Sequence, residues 1–234
     1  MKTGEFLRFK ITEYNLNIGK NLRLAFIADL HNFSTDAVLK AVKSEKVDAA
    51  ILGGDILHGQ KYTEQAFKFI ADLSKIVPTF YALGNHEAGY SGDLRHQIAS
   101  SGAKLLDNDY TLFKGINIGG LTSGAFYYST KFKPNLNFLT EFSAVDGYKL
   151  LVCHHPEYYY KYIKDLNIDL TLSGHAHGGQ WRIFGRGIYA PGQGILPKYT
   201  SGLYDGRLVV SRGLGNVYAI PKINNQPEIL IINF

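Results

Sequence analysis

Short apolar runs alternate with polar stretches of helical spacing through the first half of the chain. Leu22 to Ala28 has the texture of a strand buried on both faces, and it ends at Asp29-Leu30-His31. Asp36 to Lys43 then predicts a helix, with Ser34 or Thr35 at the N-cap. Val47 to Leu52 predicts a second buried strand, ending at Gly53-Gly54-Asp55. Glu64 to Leu73 predicts a helix with Phe67, Ile70 and Leu73 on one face. Pro78 to Leu83 predicts a third strand, ending at Gly84-Asn85-His86-Glu87, and Leu94 to Ser100 a short helix. This alternation predicts parallel βαβ units. Ahead of it, Phe6 to Ile18 alternates apolar and polar residues, as an edge strand or hairpin does.

The texture then changes. Tyr110 to Phe113 and Ile116 to Leu121 flank Lys114-Gly115 and predict a hairpin. Ala125 to Lys133 is aromatic and basic and reads as a loop that could gate a substrate or touch lipid. Tyr148 to Cys153 predicts a fourth buried strand ending at His154-His155-Pro156, and Glu157 to Lys164 a helix. Ile168 to Leu172 predicts a fifth strand, followed by Ser173-Gly174-His175-Ala176-His177. The glycine-rich remainder carries short strands at Arg186 to Ala190, Arg207 to Ser211 and Glu228 to Ile232. With no repeat, low-complexity stretch or linker, residues 1–234 are expected to form one domain.

Composition narrows the class. At 45% hydrophobic and 19% charged residues the chain is globular, not disordered. Cys153 is its one cysteine, which excludes an intrachain disulfide. No apolar run has the length of a signal peptide or a bilayer span, so the expectation is a cytoplasmic protein; peripheral membrane contact stays open. A net charge of +5 favours anionic partners without choosing among them.

The chemistry sits where the strands end. Ligands of open α/β sheets bind beyond the carboxyl ends of strands, so these tips should converge on one rim. They carry Asp29, His31, Asp55, Asn85, His86, His154, His175 and His177. Carboxylate, imidazole and amide oxygen without sulfur suit Mn²⁺, Zn²⁺ or iron, and the count fits two ions sharing a carboxylate. A pair of ions roughly 3.5–4 Å apart is the usual clamp for phosphoryl displacement.

Asp-Leu-His, Gly-Gly-Asp, Gly-Asn-His-Glu, His-x-Pro and Gly-His-Ala-His in this order resemble the calcineurin-like metallophosphoesterases. Gly174 to Gln180 and Ser211 to Gly215 resemble the small bacterial branch that includes YkuE-like and YaeI-like proteins. The resemblance covers nearly the whole chain. It implies a four-layer α-β-β-α sandwich around two central mixed β-sheets. It implies one metal on Asp29, His31, Asp55 and His177, and another on Asp55, Asn85, His154 and His175. The implied cofactor is a pair of divalent ions, Mn²⁺ first and Zn²⁺ or iron as alternatives. His86 would face the phosphate as the catalytic residue, and a bridging hydroxide would attack phosphorus.

The implied activity is hydrolysis of phosphate monoesters or diesters, with a small phosphorylated substrate and no stable nucleic-acid partner. The alternatives are a nucleotide- or lipid-linked pyrophosphate hydrolase, or a silent scaffold on the same fold. Two positions depart from the pattern. His58 stands where the family often has a second carboxylate that orients the catalytic histidine, a task then left to Glu87 or a backbone carbonyl. Pro221-Lys222 stands where a Pro-x-Arg segment is usual, so a phosphate or structural contact could be lost. His155 is expected to lie behind the ligands or in solvent, His96 on a helix face, and Cys153 in the core. Tyr158, Tyr159, Tyr160 and Tyr162 read as a helix packed on the sheet rather than a membrane or stacking surface.

Overall fold

A computed structural model of the chain describes residues 9–31, 33–126, 133–216 and 221–234. The first half runs β1 (Lys10–Asn15), β2 (Arg23–Ile27), α1 (Thr35–Glu45), β3 (Ala49–Leu52), α2 (Thr63–Ile76), β4 (Thr79–Tyr81), α3 (Leu94–Ser100) and β5 (Lys104–Leu105). The hairpin β6 (Asp109–Phe113) and β7 (Ile116–Leu121) follows, then α4 (Leu136–Ser143), β8 (Tyr148–Cys153) and β9 (Leu170–Ser173). Four two-residue strands come next: β10 (Arg182–Ile183), β11 (Arg186–Gly187), β12 (Tyr189–Ala190) and β13 (Gly194–Ile195). The chain closes with β14 (Gly202–Tyr204), β15 (Leu208–Val210) and β16 (Glu228–Asn233).

Two six-stranded mixed sheets result, ordered β1-β16-β2-β3-β4-β5 and β14-β15-β9-β8-β7-β6. The βαβ expectation holds for β2 to β5, which pair in parallel. β16 makes the first sheet mixed, pairing antiparallel with β2 and parallel with the edge strand β1.

Strand periodicity sorts side chains into four layers. Ala25 and Ile27 face outward, against Val38 and Val42 of α1 and Phe69, Ile70 and Leu73 of α2. Their neighbours Leu24 and Phe26 face inward, against Ile116, Ile118, Leu150, Val152 and Leu172 of the second sheet. Leu151 and Cys153 point to that sheet's far side, where Phe138, Phe142 and Tyr159 cover them. The four-layer α-β-β-α sandwich follows from this alternation. Each fully buried side chain of this size contributes roughly 1.5–3 kcal/mol, so the layers fix where the strand tips meet.

Several local expectations change. α4 was not foreseen; it starts where the Asn135 side chain accepts the Phe138 N–H at 3.1 Å. The helix expected at Glu157 to Lys164 is present over residues 157–163, and its Tyr159–Ile163 part is π-helical. Tyr158 and Tyr159 are buried against the sheet while Tyr160 is exposed, so the run packs more than it presents. The strand expected at Arg186 to Ala190 is divided between two hairpins. The reason is close backbone packing: a Cβ on Gly187 would lie 2.7 Å from Gly179 Cα, so the chain must turn there. On α2, Ala66 and Phe69 complete the buried face and Phe67 is only partly covered. Phe6 to Arg8 and most of the aromatic-basic loop, residues 127–132, lie outside the described residues.

Candidate metal centre

The tips of β2, β3, β4, β8 and β9 converge at one rim, beyond the carboxyl ends of the strands. Backbone bonds tie the tips together. Asp29 N–H donates to Gly54 O at 3.0 Å, His31 N–H to Asp55 O at 3.2 Å, and Gly174 N–H to His154 O at 3.1 Å. Five of the eight singled-out residues adopt the left-handed conformation that side chains avoid: Asp29 (φ 53), His31 (φ 45), Asp55 (φ 52), His175 (φ 64) and His177 (φ 46). Gly84 is required rather than tolerated, because a Cβ there would lie 2.3 Å from Asp55 Oδ1.

Among the described residues four donor triads have their donor atoms within 4.8 Å of one another; two of them contain an aspartate, Asp29 with His31 and His177, and Asp55 with His154 and His175, and the others are His31, His58 and His86, and His155, Glu157 and His175. Asp55 Oδ2 lies 3.1 Å from His154 Nε2 and 3.8 Å from His31 Nε2, so this carboxylate stands between the two aspartate triads. Asp29 Oδ1 lies 3.6 Å from His177 Nε2 and 3.8 Å from His154 Nε2. The carboxylates also brace the loops: Asp55 Oδ1 accepts the His86 N–H at 2.8 Å, and both Asp29 oxygens accept the His175 N–H at 3.1 Å. His154 donates from Nδ1 to Gly53 O at 2.7 Å, which turns its Nε2 toward the carboxylates.

The donor set fits divalent cations. His31 Nε2, Asp55 Oδ2, Asn85 Oδ1 and His154 Nε2 are buried and have no hydrogen-bond partner among the described residues. Four such orphans in one place are costly unless a further group satisfies them.

The electrostatics agree. Burial opposes ionisation of Asp55, but His154, His31 and His86 hold its carboxyl well below the usual range. Burial lifts Asp29 to about 6, opposed by His154 and reinforced by Asp55. Burial would depress His154, yet Asp55 and Asp29 raise it to about 10. Burial drives His31 down to about 3 and holds His175 and His177 well below the histidine range. The centre thus sets three neutral imidazoles, His31, His175 and His177, beside a His154 whose proton Asp55 and Asp29 hold, and a bound cation would take that proton's place.

His86 lies at the mouth, its side chain 27% exposed and its Nε2 4.0 Å from Asp55 Oδ2. It can therefore touch a molecule entering from solvent. His58 stacks on it with ring centroids 4.9 Å apart and meets His31 Nδ1 through its own Nδ1 at 3.2 Å. One expectation is overturned: Glu87 does not orient His86. Its carboxylate turns inward, taking N–H groups from Asp55, Ile56, Leu57 and Gly84 and the Tyr81 hydroxyl at 2.7–3.1 Å. The Pro221-Lys222 departure keeps a structural contact, since Lys222 Nζ donates to Arg212 O at 2.8 Å beside Asp29.

His155 is buried behind His175, between Ser123 Oγ at 2.7 Å and Glu157 Oε1 at 3.2 Å. His96 lies on α3, beside Ser100. Sequence reasoning missed Glu157, which lies 3.9 Å from His175, and Asn225, whose amide donates to His177 O at 2.7 Å. Neither stands in a motif. Only its place directly after the His154-His155-Pro156 motif could have drawn attention to Glu157.

A sequence model of the calcineurin-like phosphoesterases matches residues 22–179, which is more than half of the chain. The chain belongs to the calcineurin-like phosphoesterases. This phosphoesterase is similar to the phosphodiesterase YaeI of Escherichia coli, with 26% identity over 97% of this chain and 87% of YaeI. It is also similar to the metallophosphoesterase YkoQ of Bacillus subtilis, with 26% identity over 90% of this chain and 82% of YkoQ. Its fold resembles that of the phosphopantetheinyl hydrolase PptH of Mycobacterium tuberculosis, with a TM-score of 0.51 and 14% identity over 82% of this chain and 89% of PptH. Among the described residues no helix is long and apolar enough to cross a membrane.

Proposed function

We propose that this phosphoesterase hydrolyses phosphate monoesters or diesters at a centre of two divalent cations. The carrying observation is the quartet of buried, unpartnered donor atoms on His31, Asp55, Asn85 and His154. Asp29, His31 and His177 would hold one ion, Asn85, His154 and His175 the other, and Asp55 would serve both. The sulfur-free donors suit Mn²⁺, Zn²⁺ or iron, and the family resemblance puts Mn²⁺ first. Bound there, the ions would supply Lewis acidity toward the phosphoryl oxygens and acidify a water.

The rest is the work of the chain's own residues. His86 is the one histidine of the motif set with substantial exposure, so it meets the entering phosphate. Its imidazole stabilises charge on a phosphoryl oxygen or gives a proton to the leaving oxygen. The bond from its N–H to Asp55 Oδ1 fixes where that ring starts, and His58 stacked on it limits its rotation. The name of YaeI favours diesters as substrates.

The test is a screen of metal content and turnover, reconstituting the protein with Mn²⁺, Zn²⁺ or Fe²⁺. p-Nitrophenyl phosphate, its bis ester and a nucleoside pyrophosphate are the substrates. Turnover of either ester with close to two ions per chain is expected. A fully loaded protein that is silent on every ester would refute the proposal, and activity confined to pyrophosphates would move it to that class.

A further inference from the structure

We infer that the hairpins following the His177 turn form a surface that docks on an anionic lipid bilayer. Of the fourteen exposed large hydrophobic residues among the described residues, seven fall between Trp181 and Leu203. They are concentrated where β10–β11 and β12–β13 leave the sandwich. Phe184, at the tip of β10–β11, is 101% exposed, Leu196 is 71% exposed, Ile195 79% and Ile183 54%. None of the four belongs to the three packed cores.

Their conformation argues the same way. Phe184 (φ 49) and Leu196 (φ 52) both sit in the left-handed region, unfavourable for bulky side chains. The hairpins hold these two side chains outward at a conformational cost, with neither side chain packed into a core. The two hairpins share a hollow: Gly185 and Arg186, which follow Phe184, line a cavity of about 370 Å³ together with Leu196, Pro197 and Lys198.

Charge chooses the occupant. From Ala176 to Ser211 the chain carries Arg182, Arg186, Lys198 and Arg207 against the single acid Asp205. Arg186 and Lys198 are exposed around the apolar tips. Lys198 lies over the rings of Tyr160 and Tyr199, at 5.5 and 5.0 Å, so an exposed tyrosine joins the same rim. Apolar tips ringed by cations and an amphipathic aromatic match the boundary of an anionic bilayer, where tips enter the acyl region and cations meet headgroups. A second copy of this chain carries the same positive surface and would meet it with repulsion.

The surface is continuous with the centre. The turn at His177–Gly179 leads directly into Trp181, and Arg182 donates to Gly178 O at 2.7 Å. Docking would bring the mouth of the centre close to the headgroup plane. This inference is independent of the reading under Proposed function, because it concerns binding and not turnover.

Flotation of the full chain with phosphatidylcholine vesicles, with and without phosphatidylglycerol, tests it. Binding is expected only when phosphatidylglycerol is present, and it should weaken as salt rises. Phe184→Ser combined with Leu196→Ser should lower binding about tenfold or more, with soluble-ester turnover and thermal unfolding unchanged. Arg186→Gln combined with Lys198→Gln should abolish the preference for phosphatidylglycerol. Equal flotation with both vesicle types, or binding by the apolar double variant equal to wild type, would overturn the inference. So would a dimer in light scattering that Phe184→Ser dissociates, since the surface would then belong to a second copy.

Discussion

Replacing Glu87 with glutamine tests whether the loop that carries Asp55 is held from beneath. In the folded protein Glu87 Oε1 accepts from Ile56 N–H, Leu57 N–H and the Tyr81 hydroxyl, and Oε2 from Asp55 N–H and Gly84 N–H. Glutamine keeps one oxygen and turns the other into a donor. With the amide at the Oε2 position, the Asp55 and Gly84 N–H groups face another donor. With it at the Oε1 position, the Tyr81 hydroxyl can rotate and accept, but Ile56 and Leu57 lose their acceptor. Either placement strands two buried backbone donors.

Each stranded donor costs roughly 1–3 kcal/mol, giving about 2–6 kcal/mol in all. Part of this is recovered, because burial and the Asp55 carboxylate already raise the Glu87 pKa to about 7, against the donors that oppose it. The expected net loss is therefore in the lower half of the range, about 2–4 kcal/mol. At roughly 2–4 °C per kcal/mol for a chain of this size, Tm should fall by about 4–16 °C. Thermal unfolding in the presence of a chelator measures this free of any metal contribution. A metal titration of the same variant should show weaker binding, because the stranded donors lie on Asp55 or next to it. A Tm within about 2 °C of wild type together with unchanged metal uptake would refute the reasoning.

Three further outcomes are expected. His86→Ala should lower kcat by about 10²–10⁴-fold while metal content by elemental analysis stays at the wild-type level, since its ring belongs to neither of the proposed ion sites. His58→Ala should weaken metal retention by about 10–100-fold in a chelator competition, through loss of the imidazole that meets His31 Nδ1; His58→Asp, which restores an acceptor, should recover most of it. Cys153 is 1% exposed with its sulfur toward His155 O, so a thiol reagent should label it only as the protein unfolds, and fast labelling of the native chain would contradict the packing.

Much of the rim was legible because the ligand candidates sit within four residues past a buried strand, and a buried strand in a parallel sheet announces itself as an apolar run. That is why the tips of β2, β3, β4, β8 and β9 could be located without coordinates. Residue direction was less legible. His86 and Glu87 are neighbours, but the 3₁₀ turn His86–Gly89 rotates successive side chains apart, sending one to the mouth and the other into the core. Nothing in the order of letters distinguishes the two. α4 was hidden because its eight residues present only a short apolar stripe after an aromatic loop. Asn225 was hidden for another reason: it acts on the backbone carbonyls of His177 and Gln180, far away in sequence, and such bonds leave no spacing signal.

The left-handed residues and the cross-bonds between loops explain one another. A non-glycine residue in this conformation costs roughly 1–2 kcal/mol, and Asp29, His31, Asp55, His175 and His177 all adopt it. Five such positions persist only if the surroundings overdetermine them. The carboxylates do so: Asp29 caps the loop bearing His175, and Asp55 caps the loop bearing His86. Each therefore has a structural role apart from any ion. It follows that Asp55→Asn cannot be read as the removal of one charge. It exchanges an acceptor oxygen for a donor beside either the His86 N–H or the imidazoles, so it perturbs a loop whichever way the amide turns. His177→Ala braces no other loop through its side chain and is the cleaner probe of ion binding, with loss of one ion per chain and a fold that stays intact by circular dichroism. Unfolding of His177→Ala without metal present would show that the rim depends on that ring for its shape, and the division drawn here between bracing carboxylates and free imidazoles would fail.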